Sequence, residues 1–95
     1  MSADYETIIV ISTKLDEEAT KALIERFTSL IADHGEVESV DEWGKRKLSY
    51  EMQKESEGYY VLINFRCEPG FLKELDRIYD YTEGILRTMI VRKNA

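Results

Sequence analysis

YETIIVIS, residues 5–12, is the stretch that decides the fold. It is short, rich in β-branched residues and closed by polar residues, which is typical of a β-strand. Side chains alternate between the two faces of a strand, and here both faces are largely apolar. We therefore expect this strand in the middle of a sheet. YYVLINF, residues 59–65, shows the same pattern and predicts a second central strand.

A strong amphipathic helix is predicted after the first strand. Asp16 is placed to cap it, two glutamates follow in the first turn, and apolar residues recur at steps of three and four as far as Ile31. Gly35 is expected to end the helix in the left-handed conformation. His34, the single histidine, stands in the last turn, where we expect a capping or solvent-facing role rather than catalysis.

A long strand-like segment at residues 37–52 changes phase part-way. Its apolar residues switch between odd positions, such as Trp43, and even positions, such as Leu48. Gly44 is a natural place for a bulge that absorbs this slip. The alternation predicts that Leu48 is buried. A polar loop is predicted at residues 53–58, so that this segment and the second central strand form a long hairpin.

A second helix is predicted from Pro69-Gly70 to about Tyr81, and a last strand at residues 85–91. The element order is then β-α-β-β-α-β, the ferredoxin-like arrangement, an α+β fold in which two helices cover one face of a four-stranded antiparallel sheet. Right-handed crossovers place the first and third strands in the middle. The other face is expected to be an apolar binding surface or, alternatively, a small and partly wet patch.

The composition suits one soluble globular domain over residues 1–95, with 43% hydrophobic and 34% charged residues. Cys67 is the only cysteine, which excludes a disulfide framework and a paired-thiol metal site and fits a reducing compartment. We find no secretory signal and no apolar run near the ~20 residues of a membrane span. The sequence therefore predicts a cytoplasmic protein that does not enter a membrane.

Charge is divided unevenly along the chain. Residues 1–42 hold 11 acids and 3 bases, a net of −8, and residues 43–95 hold 8 acids and 10 bases, a net of +2, so the whole chain carries −6. A protein that binds nucleic acid normally has a basic footprint. Such a role would need a local patch in the second half or a basic partner, and the acidic half is left open for binding a partner.

Residue types that support catalysis or metal binding are nearly absent. The single histidine and single cysteine lie far apart in sequence, and no glycine-rich phosphate loop or His-x-x-x-His spacing occurs. An enzyme would need a polar cluster aimed into a pocket between helices and sheet, and the pattern contains none. We therefore expect no enzymatic activity, cofactor, metal or small-molecule substrate.

A free-standing RRM-like domain, which stacks RNA bases on aromatic side chains of its sheet, is an alternative with the same element order. Residues 57–64 have glutamate where the RRM pattern has a cation, and lack aromatic residues at its two later positions. Tyr59 or Tyr60 remains a candidate for stacking, and core packing is expected for whichever of them faces the helices.

Basic residues gather at two places. The first is the run of three cations that follows Gly44, in which Arg46 shares one side of the strand with Leu48. These cations fit either phosphate contacts or a solvated strand edge that resists pairing with other chains. The second group lies in the last strand and the tail: Arg87, Arg92 and Lys93.

The first basic run belongs to a longer pattern of a glycine, basic residues, Leu, Ala or Ser, Tyr, any residue and an aliphatic one. In this chain it reads Gly44-Lys45-Arg46-Lys47-Leu48-Ser49-Tyr50-Glu51-Met52. The pattern resembles the signature of the family of the sixth protein of the bacterial small ribosomal subunit. Further similarities to the family are Tyr5-Glu6, Leu15-Asp16, Trp43, Gly58-Tyr59-Tyr60, Glu74-Leu75-Asp76-Arg77, Leu86-Arg87 and Val91-Arg92.

The resemblance implies a ferredoxin-like fold and a structural role in the small ribosomal subunit. It also implies binding to the central domain of the small-subunit ribosomal RNA together with a small basic partner, the eighteenth protein of that subunit. Such a partner would supply much of the phosphate neutralisation that an acidic protein lacks. The residues expected at the RNA are Arg46, Lys54, Arg87, Arg92 and Lys93, with Tyr5 as a packing or sugar contact.

The chain departs from the family pattern in a few places. Ala3-Asp4 stand where an arginine often precedes the first Tyr-Glu, so no phosphate contact is expected there. Thr13 stands where relatives often have a proline, and Glu51-Met52 stand where they often have Pro-Ile. We interpret both differences as local variations of the backbone. No tail-mediated function is expected beyond Ala95.

Overall fold

Six elements form in the order that the sequence predicts. The structure, a computed structural model, describes residues 2–52 and 54–93, with the backbone alone at residues 49–52. The elements are β1 (Ala3–Ser12), α1 (Glu17–His34), β2 (Gly35–Met52), β3 (Glu55–Cys67), α2 (Gly70–Tyr81) and β4 (Ile85–Arg92). The prediction of a ferredoxin-like α+β fold is confirmed, because both helices pack on one face of a single four-stranded sheet.

The strands pair antiparallel in the order β2-β3-β1-β4. β1 and β3 therefore occupy the middle, as their apolar faces predict. They pair along the whole of β1, from Ala3 opposite Cys67 to Ser12 opposite Gly58. The long β2 and the short β4 form the two edges of the sheet.

The hydrophobic core lies between the sheet and the helices. Alternate residues of β1 and β3 meet the apolar stripes of α1 and α2, and the side chains with no exposed surface include Ile9, Phe27, Ile31, Ile63, Phe65 and Leu75. Thr7 and Tyr79 bring hydroxyl groups into this core, where their oxygen atoms lie 3.1 Å apart in a hydrogen bond. Burial raises the pKa of the Tyr79 phenol, which stays protonated and satisfied by Thr7.

The two ends of α1 differ in how they are held. Asp16 caps the start as predicted, because its Oδ1 accepts a hydrogen bond of 2.7 Å from the amide of Ala19. The prediction of a left-handed Gly35 is wrong, since its φ of −177° is extended backbone that leads directly into β2. Glycine is needed there for space, because a Cβ would clash with the carbonyl oxygen of Arg66 on β3.

His34 closes the last turn of α1 as the sequence suggests. Its Nδ1 donates to the carbonyl oxygen of Leu30 over 3.0 Å. Its ring also stacks on Phe71 of α2, with centroids 4.5 Å apart and planes 10° from parallel. The histidine thus caps one helix and packs against the other.

The β2–β3 hairpin differs from its prediction in extent. The bulge at Gly44 is confirmed, because the pairing register shifts between Glu42 and Gly44 and the φ of Gly44 is 83°. The polar loop predicted at residues 53–58 is wrong, since β3 already begins at Glu55, which pairs with Met52. Gln53, part of that predicted loop, lies outside the described residues.

Leu48 is half-buried rather than fully buried as its alternation predicted. It lies over Gly58 on the sheet face away from the helices, where its Cδ2 is 3.4 Å from the point that a Cβ of Gly58 would occupy. The strand phase places this leucine on the face without a covering layer, which explains the difference.

Truncation of Leu75 and Leu48 tests this division of the hydrophobic residues. Leu75→Ala should lower the free energy of unfolding by about 2–5 kcal/mol, because it leaves a cavity in a closed core. Leu48→Ala should cost only about 1 kcal/mol, because part of that side chain already contacts water. Urea unfolding of both variants checks the difference, and equal losses would show that the two faces are covered to the same degree.

Candidate nucleic-acid interface and partner face

The sheet face turned away from the helices, named the open face below, presents the functional candidates in cross-strand rows. Directly paired residues share a face, so the register defines each row. The row nearest the hairpin turn, at the end named the hairpin end below, is Arg46–Gly58. The rows that follow are Gly44–Tyr60–Val10–Arg87, Asp41–Leu62–Ile8–Met89 and Ser39–Asn64–Glu6–Val91. The rows change from basic, through apolar, to acidic and polar.

The hairpin end of the open face holds a stack of three side chains. The rings of Trp43 and Tyr60 have centroids 6.3 Å apart and planes 12° from parallel. The guanidinium of Arg46 lies 5.5 Å from the centroid of the Trp43 ring, a cation–π contact. The bulge at Gly44 changes the phase of β2 and so allows both Trp43 and Arg46 to reach this face.

Arg46 and Arg87 lie at the same end of the open face but on opposite edges. Arg46 belongs to β2 and Arg87 to β4, three inter-strand steps away, or roughly 14 Å. Both side chains are exposed. Sequence reasoning found both residues but could not show that they share one face.

Arg92 is separated from Arg87 by the geometry of β4. Arg92 pairs with Tyr5, whose ring belongs to the core, whereas Arg87 pairs with Val10 on the open face. The two arginines therefore point to opposite faces and lie near opposite ends of the strand. The predicted basic group at the last strand is thus not a single cluster.

Lys93 is held by contacts within the protein. Its Nζ donates to Oδ1 of Asn64 over 3.1 Å and lies 4.0 Å from a carboxylate oxygen of Glu38. Its backbone amide donates to the carbonyl oxygen of Asp4 over 2.9 Å. A phosphate at Lys93 would have to compete with these partners.

The remaining site candidates fall into different environments. Lys54 is exposed in the hairpin connection with a φ of 64°. Tyr5 is only 4% exposed and packs 5.8 Å from the Phe65 ring, which agrees with its packing role and leaves little surface for a sugar. In the family signature, Lys45 and Lys47 are exposed, whereas the side chains of Ser49 and Tyr50 lie outside the described residues.

Tyr59 and Tyr60 take opposite faces, as adjacent strand residues must. Tyr59 packs against the core, and its hydroxyl donates to Oε1 of Glu42 over 2.8 Å. This hydrogen bond is the main reason why the pKa of Tyr59 is raised. Tyr60 is therefore the tyrosine that is available on the open face.

Sequence reasoning missed one polar cluster at the turn end of the hairpin. Glu55 was placed in a loop, but its carboxylate is buried against Ser12 and Thr13. No periodic signal marks a contact between residues so far apart in the chain. Among residues 2–52 and 54–93, no group of His, Cys, Asp and Glu side chains is arranged to hold a metal ion, and neither described helix is long and apolar enough to cross a bilayer.

Comparison with known proteins gives the family. A family model described as "Ribosomal protein S6" matches residues 4–92. The chain belongs to the ribosomal protein S6 family. Small ribosomal subunit protein bS6 of Caldanaerobacter subterraneus is 55% identical over 89 residues, covering 93% of this chain and 94% of that protein. The same protein of Clostridium perfringens is 56% identical over 90 residues, covering 94% and 95%.

A solved structure supports the same assignment. The crystal structure of 30S ribosomal protein S6 from Thermotoga maritima is 34% identical, with a TM-score of 0.93, and the match covers 98% of this chain and 89% of that one. Members of the ribosomal protein S6 family are structural, non-enzymatic proteins of the small ribosomal subunit in the cytoplasm. The expectation of a structural ribosomal role is confirmed.

Substitution of Gly44 tests whether the bulge shapes the open face. Gly44→Ala should lower the free energy of unfolding by about 1–2 kcal/mol, because a positive φ is strained for a residue with a Cβ. Gly70→Ala is the matched control, since open space surrounds its Cβ position and it should change stability little. Urea unfolding gives the free energies, and near-ultraviolet circular dichroism reports Trp43. Equal stability of both variants would contradict a strained bulge.

Proposed function

We propose that this member of the ribosomal protein S6 family binds the central domain of the small-subunit ribosomal RNA cooperatively with a small basic partner, the eighteenth protein of the subunit. It would do so as one domain spanning residues 1–95. The single observation that carries the proposal is the change of charge along the open face, from Arg46 and Arg87 at one end to Glu6 and Asp41 toward the other. Two partners of different charge can bind such a face side by side.

The hairpin end is the proposed RNA contact. Arg46 and Arg87 lie on the same face there, and Lys54 is exposed in the connection of the same hairpin. Arginine and lysine side chains supply most phosphate contacts in nucleic-acid complexes. Arg92 is assigned to a separate contact with the RNA backbone at the far end of β4. Lys93 is assigned to a contact that requires it to leave Asn64 and Glu38. Tyr5 is kept as a packing residue.

The rest of the open face is the proposed site of the basic partner. Ile8 and Leu62 are half-covered there, and Met89 and Val91 on the edge strand are 43% and 40% exposed. Apolar surface of this kind on a soluble protein typically marks an interaction site. Glu6 lies directly opposite Val91, so the apolar rows have an acidic border that complements a cationic partner.

This arrangement accounts for an acidic protein on RNA. Affinity for RNA grows with the number of phosphates that cations neutralise, and a chain of net charge −6 supplies few. A basic partner bound to the apolar and acidic rows would place its own cations beside the hairpin end. The two proteins together would then form the basic footprint that this chain lacks alone.

The free-standing RNA-binding domain remains the alternative, and one observation favours it. Trp43 and Tyr60 form an aromatic pair on the open face, and aromatic side chains on a sheet are what such domains use to stack bases. In that case RNA would bind tightly without a partner. The family assignment and the small number of exposed cations on this face favour the cooperative function.

Replacing Arg87 tests the RNA contact. Arg87→Ala should leave stability nearly unchanged, because an exposed charge contributes little to it. It should weaken binding of the protein–partner complex to a central-domain RNA fragment and reduce the log–log salt slope by about 0.7–0.9 for the lost phosphate contact. Arg77→Ala, which removes an exposed arginine on α2, is the matched control and should change neither value. The same slope for both variants would refute the assignment of Arg87.

Replacing Met89 tests the partner face. Met89→Asp should weaken binding of the basic partner roughly tenfold or more, because a carboxylate would be buried among apolar contacts. Tyr81→Asp introduces the same charge at a side chain that is 82% exposed on α2, and it should leave partner affinity unchanged. Titration calorimetry with the purified partner compares the two. Full affinity in the Met89 variant would exclude this part of the open face as the partner site.

A further inference from the structure

Glu55 is a buried carboxylate at the turn end of the β2–β3 hairpin that the ribosomal assignment does not explain. It is 8% exposed. Ser12 Oγ donates to this carboxylate, with distances of 2.7 and 2.8 Å to its two oxygens, and the amide of Thr13 donates over 3.2 Å. The amide of Lys14 in turn donates to Ser12 Oγ over 3.1 Å. Among the described residues, no cation forms an ion pair with Glu55.

These hydrogen bonds join the turn end of the hairpin to the end of β1, two segments that strand pairing does not connect. Ser12 is the last residue of β1 and pairs with Gly58, so the part of the hairpin before Gly58 extends beyond β1. Within that extension β3 pairs only with β2, and the register shifts between Lys47 and Met52. A two-stranded ribbon is marginally stable in water by itself. The Glu55 carboxylate attaches this ribbon to the loop between β1 and α1.

Lys54 stands immediately before Glu55 and depends on how the ribbon is held. Its φ of 64° lies in the left-handed region, which costs energy for a residue with a side chain and persists only where the surroundings impose it. The fixed position of Glu55 supplies such a constraint on the C-terminal side of Lys54. The direction in which Lys54 leaves the hairpin is therefore tied to the contact between Glu55 and Ser12.

We propose that Glu55 is a positioning residue for RNA binding, which holds Lys54 and the hairpin tip in the orientation that contacts phosphate. The proposal rests on the RNA-binding function proposed above. A lysine on a fixed backbone loses less conformational freedom on binding than one on a mobile ribbon, so more of its interaction with phosphate appears as affinity. An acid thereby strengthens binding to a polyanion, although its own charge opposes it.

The direction in which RNA affinity changes distinguishes a positioning role of Glu55 from simple charge repulsion. If Glu55 acted only through its charge, its removal would reduce repulsion and strengthen RNA binding. If it positions Lys54, Glu55→Ala should weaken binding of the protein–partner complex about three- to tenfold, as Lys54→Ala should. Both variants should lower the log–log salt slope by about 0.7–0.9, and the double variant should add nothing further.

Three further variants complete the experiment. Glu55→Gln keeps an acceptor oxygen for Ser12 and Thr13 without the charge, and it should bind RNA within about twofold of the unaltered protein. Ser12→Ala breaks the same contact without removing a charge and should weaken binding as Glu55→Ala does. Glu57→Ala, an exposed acid on the same strand, is the charge control and should not weaken binding. Thermal unfolding of each variant ensures that affinities are compared between folded proteins.

The outcomes distinguish the inference from the function on which it rests. Loss of affinity in Glu55→Ala and Ser12→Ala, with recovery in Glu55→Gln and no additivity with Lys54→Ala, supports it. Unchanged or tighter binding by folded Glu55→Ala or Ser12→Ala overturns it, and so do fully additive effects with Lys54→Ala. If the unaltered protein with its partner does not bind the RNA at all, the proposed function fails as well.

Discussion

The structure depends on one constraint, which is that β1 and β3 are largely apolar on both faces while the two helices cover only one. Burial of Ile9, Ile63 and their neighbours under the helices stabilises the fold. The same strands necessarily present Ile8 and Leu62 on the opposite side. A sheet designed to stand alone would carry polar residues there. In the proposed function these uncovered apolar rows connect folding to assembly, because the basic partner would cover them.

Most of the fold could be predicted because its signals are local. Short β-branched runs that are largely apolar on both faces identified the central strands, and Asp16 and the apolar spacing identified α1. The errors arose where long-range packing decides. Glycine is needed at position 35 because the backbone of Arg66 lies close to it, not because the chain turns there. The start of β3 at Glu55 follows from its pairing with Met52. Leu48 is less buried than its alternation predicted because its face of the sheet has no covering helices.

The candidate site was less predictable from the sequence than the fold. The pattern identified Arg46 and Arg87 as basic residues of interest, but only the register shows that they share a face and that Arg92 does not. The contacts of Lys93 with Asn64 and Glu38 cross the sheet between residues far apart in sequence. The contact between Glu55 and Ser12 is of the same kind. Such pairs depend on three-dimensional proximity, which composition and spacing do not record.

The most direct test of the account is binding of the purified protein to a central-domain fragment of small-subunit ribosomal RNA at near-physiological salt, with and without the basic partner. The account predicts tight binding only when the partner is present, because the acidic chain cannot neutralise enough phosphates alone. Equally tight binding without the partner would contradict it and would assign the open face, with Trp43 and Tyr60, to the RNA itself.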